Sequence, residues 1–199
     1  ICDALVACDT ATVNISVSGD QIIYASSTSG GTVGGVAFND EDILAFDSST
    51  GTWSMYVDGS DVGLGASGQE IEALHINPDG SILLSLGVAG TLTGIGGVDD
   101  FDIVRFIPTS TGENTAGSYE LYFDGEDVGL STAAEAIDAI GFAPDGRLVV
   151  STKDSYSVEG ISGQDEDLLI FTATSLSETT SGSWDLYFDG SDVALDTAS

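Results

Sequence analysis

The chain has 199 residues, 33 of them acidic against three basic (Arg105, Arg147, Lys153), and a formal net charge of -30. This excludes nucleic acid and anionic membrane surfaces as partners, because both are gripped through Lys and Arg. A hydrophobic content of 42% with 26 glycines and only three prolines excludes a disordered chain and favours strands and turns over helices.

Segment 1–12 carries both cysteines, Cys2 and Cys8. Paired, they would close a small loop of the kind secreted proteins use; a link between two chains and two free thiols are the alternatives. The DALVA stretch is short and strand-capable, suited to adding a strand to a neighbouring subunit's edge. The chain begins at Ile1, which fits a processed chain or a fragment.

From Val13 the sequence repeats. VNISVSGDQIIYAS at Val13, ALHINPDGSILLS at Ala73 and AIGFAPDGRLVVS at Ala139 each predict two strands around a tight turn. In the Pro-Asp-Gly turns, Pro presets φ and Gly supplies a positive φ. A Gly-rich stretch follows, such as GGTVGGV from Gly30, and reads as a loop. An acidic doublet then opens a third strand: DEDILAF at Asp40, DFDIVRF at Asp100 and DEDLLIF at Asp165. A polar link leads to a fourth strand, WSMYVDGSDVGL from Trp53, YELYFDGEDVGL from Tyr119 and WDLYFDGSDVAL from Trp184, at offsets of 66 and 65 residues.

No run keeps a 3.6-residue period. The uncharged stretch from Ile82 to Val98 is broken by five glycines, and its counterpart in the next unit carries Lys153, Asp154 and Glu159, which argues against a membrane span. The expected fold class is all-β: three four-stranded antiparallel meanders over 13–72, 73–138 and 139–199.

IDAIGFAPDGRLVVS followed by DLLIF resembles the first three strands of gluconolactonase-like and NHL-type β-propeller blades, and the Asp-Gly-x-Asp-Val ending resembles repeats of large secreted bacterial proteins. The resemblance spans nearly the whole chain from Val13 and implies propeller-type blades; no catalytic residue transfers from it. Propellers have four to eight blades, so three must be closed by a second chain, by further blades, or associate end to end. A terminal blade with one bare apolar face demands a partner.

A meander brings the starts of its first and third strands and the end of its fourth to one rim. Glu72 and Asp138, then Asp40, Asp42, Asp100, Asp102, Asp165 and Asp167, then Asp61 and Asp127 gather there and form the candidate metal ligands. Like charges about 4 Å apart repel by roughly 1 kcal/mol even in water, so a cation is expected. Calcium is favoured, since it takes six to eight oxygens in flexible geometry, with carbonyls of glycine-rich 94–97 and 160–163 assisting. A solvated, salt-adapted rim is the alternative. Strand alternation would set Asp165 and Asp167 on one side and Glu166 on the other. At Asp58, Asp124 and Asp189 an Asx turn is favoured over ligation.

His75, the single histidine, is expected to pack or line a channel. Trp53, Tyr119 and Trp184 are expected to pack within or between units, with a carbohydrate platform as the lesser reading. No nucleophile elbow, P-loop or dinucleotide fingerprint occurs. The sequence therefore favours a non-catalytic, secreted, calcium-binding structural or adhesive protein that forms a homo-oligomer or polymer. A calcium-dependent propeller hydrolase of lactonase or phytase type is the rival, and a ligand-binding sensor domain is third.

Overall fold

A computed structural model describes residues 21–65 and 69–195. Segment 1–12 with its two cysteines, and the first run of the first unit, lie outside the described residues.

Unit 1 comprises β1 (Ile22–Ala25), β2 (Gly31–Val33), β3 (Val36–Phe38), β4 (Ile43–Asp47) and β5 (Thr52–Val57). Unit 2 comprises β6 (Ile71–Ile76), β7 (Ile82–Leu86), β8 (Gly90–Leu92), β9 (Gly96–Val98), β10 (Ile103–Ser110) and β11 (Ala116–Phe123). Unit 3 comprises β12 (Ile137–Phe142), β13 (Leu148–Thr152), β14 (Tyr156–Val158), β15 (Ile161–Gly163), β16 (Leu168–Ser175) and β17 (Ser181–Phe188). Single 3-10 turns follow each outermost strand, at Ser60–Val62, Glu126–Val128 and Ser191–Val193. The described residues contain no α-helix.

The architecture is all-β and antiparallel. β6-β7-β10-β11 and β12-β13-β16-β17 are four-stranded meanders, and β1-β4-β5 is a three-stranded sheet whose strands correspond to the last three of each meander. The Pro-Asp-Gly segments form the expected turns: Gly80 and Gly146 hold φ of 85° and 87°, and their N–H groups donate to Asn77 and Ala143 carbonyls.

The Gly-rich stretches differ from expectation. Each is a small two-stranded hairpin of its own: β2-β3, β8-β9 and β14-β15. Their strands are three residues long, too short to show alternation, and glycines at positive φ make their turns (Gly34 and Gly35, Gly94, Gly160).

The apolar cores lie between units rather than within them. One joins Ile43, Val57 and Leu64 of unit 1 to Ile82, Leu84 and Phe106 of unit 2. The other joins Ile103, Phe123 and Leu130 of unit 2 to Leu148, Val150 and Phe171 of unit 3. A single four-stranded sheet has two faces and cannot bury either alone, so each unit completes its neighbour's core. Phe123 meets Phe171 and Trp184 edge-on, with ring centroids 5.4 and 5.9 Å apart. The first strands of units 2 and 3, β6 and β12, run against one another. There His75 packs edge-on to Phe142 at 5.0 Å, and burial holds its pKa below the usual histidine value.

Candidate interaction site

The acidic motifs are the joints of this assembly. The second aspartate of each doublet is buried and spends both oxygens on backbone donors. Asp42 accepts the N–H of Asn39 at 2.8 Å and of Gly59 at 2.9 Å. Asp102 accepts Asp99 and Gly125 at 2.8 and 2.9 Å. Asp167 accepts Gln164 and Gly190 at 3.2 and 3.0 Å, and the Tyr156 hydroxyl at 3.1 Å. Each carboxylate thus ties the start of the third strand to the end of the fourth. The alternation expected for a strand does not apply, because these residues form turns ahead of β4, β10 and β16: Asp42, Asp102 and Asp167 donate their own N–H to the residue three back.

The first aspartates act through their backbone. The Asp40 carbonyl accepts Ile71 N–H at 3.3 Å and the Asp100 carbonyl accepts Ile137 N–H at 3.0 Å, joining each unit to the first strand of the next. Asp40 and Asp100 are half-buried, and Asp165 is exposed. Glu72 pairs with Lys153 at 3.3 Å, and Asp138 accepts the Ser151 hydroxyl.

The aspartates after the fourth strand divide their work. Asp58 and Asp189 each accept the N–H and hydroxyl of the serine two residues on, and Asp124 accepts Asp127 N–H at 3.4 Å; these are the turns the sequence favoured. Asp61 and Asp127 reach into the following unit. Asp61 accepts Thr115 N–H, and Asp127 accepts Thr180 N–H, both at 2.9 Å. In return Thr115 and Thr180 hydroxyls accept Asp58 and Asp124 N–H, both at 2.9 Å. A hydrogen bond to a charged acceptor contributes roughly 1.5–3 kcal/mol. The sequence offered one signal for this hook: a threonine four residues before Tyr119 and before Trp184. Unit 1 lacks it. Six residues separate Phe46 from Trp53, against twelve between Phe106 and Tyr119 and between Phe171 and Trp184. At the second junction Trp184 Nε1 also donates to the Val128 carbonyl at 3.0 Å.

The ten candidate ligands are therefore distributed along rim and junctions. Among the described residues no three His, Cys, Asp or Glu side chains converge closely enough to hold one ion.

Burial pushes the Asp102 carboxyl up from 3.8 to about 6, against the N–H bonds from Asp99 and Gly125 and helped by the charges of Asp124 and Asp99. A folded-state pKa above the unfolded one means the fold favours the protonated form. Its contribution is complete below pH 3.8 and is lost as pH rises through about 6. The shift corresponds to at most about 3 kcal/mol. The urea midpoint is thus expected to be higher at pH 5 than at pH 8, and the difference to shrink in Asp102→Asn. His75 works in the opposite sense below pH 6.5, so the comparison between chains, not the raw slope, is decisive. An identical pH dependence in both chains would remove Asp102 as its source.

Comparison with family models, with characterised proteins and with solved structures finds no match for this chain.

Proposed function

We propose that the protein is a non-catalytic, extracellular scaffold built of propeller-type blades, with a structural or adhesive role. The observation that carries this reading is the location of the cores. Every unit completes its neighbour's apolar face, and the acidic side chains fasten strand ends within a unit (Asp42, Asp102, Asp167) and one unit to the next (Asp61, Asp127). The adjacency of β6 and β12 supports a radial arrangement with first strands innermost, as in a propeller. Function then resides in assembly and in the outward rim.

In this reading calcium acts as counter-ion to the acidic rim. A charge of -30 repels itself and is relieved by any screening cation. Removing divalent ions with a chelator at about 0.15 M salt, where screening reaches about 8 Å, is expected to leave the melting temperature nearly unchanged. Lowering the salt is expected to depress it, and millimolar calcium to restore it. Turnover of lactones or phytate that a chelator abolishes would replace the scaffold reading by the hydrolase one.

A further inference from the structure

We infer that the outer face of unit 3 docks onto the outer face of unit 1 of a second copy, head to tail. The inference rests on the scaffold reading and names its partner.

The two faces are the separated halves of one junction. On unit 3, Phe188, Val193 and Leu195 are 37%, 58% and 53% exposed. Their counterparts in unit 2, Phe123, Val128 and Leu130, are 0%, 7% and 0% exposed, because unit 3 covers them. On unit 1, Ile23, opposite Phe46, is 46% exposed. Its counterparts Ile82 and Leu148, opposite Phe106 and Phe171, are 0% and 2% exposed because the unit before covers them. A cavity of about 190 Å³ opens on the same face of β1, where Ala25 joins Val33, Phe38, Leu44 and Trp53 in lining it. The equivalents in unit 3 (Val158, Leu169 and Trp184) share a core with Leu130 of unit 2. The cavity is the seat, and Leu195 the side chain that fits it. Trp53 stands where Trp184 donates to the Val128 carbonyl, and the Val193 carbonyl occupies the corresponding place on the docking copy.

One part of the junction is missing. Unit 1 has the short hairpin and no hook threonine for Asp192. The contact between copies is therefore weaker than the junctions inside the chain, reversible, and strengthened by salt because both partners are anionic.

The test uses the full chain in sedimentation experiments at about 0.15 M and higher salt. Mass is expected to rise with concentration. Leu195→Glu and Ile23→Glu, both at exposed positions, are each expected to weaken association at least tenfold with little change in melting temperature. Mixing the two variants is expected to restore a one-to-one pair, since each retains the face the other lost. Replacing residues 47–52 by a copy of residues 172–183 supplies the hook and is expected to tighten association ten- to hundred-fold, a gain that Asp192→Ala abolishes. A constant single-chain mass up to the solubility limit overturns the proposal. So does a mixture that fails to pair, which would indicate like-to-like contact, and so does a graft that folds without tightening. A single-chain mass together with absent turnover leaves the scaffold reading standing with a different partner.

Discussion

Gly125→Ala is expected to cost the protein at least about 4 kcal/mol, the range reserved for severe local disruption, and to prevent folding at moderate temperature. The reason is space, not backbone conformation. Gly125 has φ of -72°, which any residue adopts. A Cβ placed there would sit under 3.0 Å from the Phe101 carbonyl oxygen, a fixed backbone atom. Gly59 and Gly190 meet the carbonyls of Glu41 and Glu166 in the same way. Relief would require separating the two segments that Asp102 binds through Gly125 N–H, leaving a buried acceptor and donor unpaired. Gly129→Ala is the control. Its φ is +96°, yet the nearest atoms to an added Cβ are 3.9 Å away. Unit 3 already carries Ala194 at that position with φ of 62°. A cost of about 1 kcal/mol is expected there, the ordinary penalty for a left-handed residue with a side chain. Urea unfolding of the two variants measures both. Equal costs would show that the close approach at Gly125 is not what keeps it glycine.

The second large effect contrasts equivalent residues on two faces. Phe123→Ala is expected to destabilise by about 3–5 kcal/mol, because the ring is wholly buried between units 2 and 3 and leaves a cavity. At roughly 2–4 °C per kcal/mol for a chain of this size, the melting temperature should fall by about 10 °C or more. Phe188→Ala removes the same side chain from the same register position, opposite Leu168 as Phe123 is opposite Ile103. In dilute solution it is expected to cost less than about 1 kcal/mol, as for other exposed sites. Comparable losses in the two variants would mean that the cores are not built at the junctions.

The four main strands of units 2 and 3, and the last three of unit 1, were legible because the motifs repeat at nearly constant spacing, and because a Pro-Asp-Gly turn constrains its flanks whatever surrounds it. The small hairpins were hidden, since three-residue strands leave no periodicity and glycine reads as loop. The acids were legible as a recurring feature but their role was not. Asp42, Asp102 and Asp167 look like ligands in sequence, as carboxylates two residues apart. Only the fold shows that the end of the fourth strand returns to within hydrogen-bonding distance of them. Asp61 and Asp127 depend on a still longer reach, to Thr115 and Thr180 more than fifty residues away. The aromatics at 53, 119 and 184 pack, as expected, each against the phenylalanine that ends the acidic motif on the neighbouring strand: Trp53 on Phe46, Tyr119 on Phe106 and Trp184 on Phe171.

The placement of the cores has an evolutionary corollary. Since a middle unit presents the same two surfaces that its neighbours present to it, a recombination event that duplicates or removes one whole unit creates no new kind of contact. The gene can lengthen or shorten by whole modules without redesigning a single interior. Point changes confined to one junction are felt at that junction first.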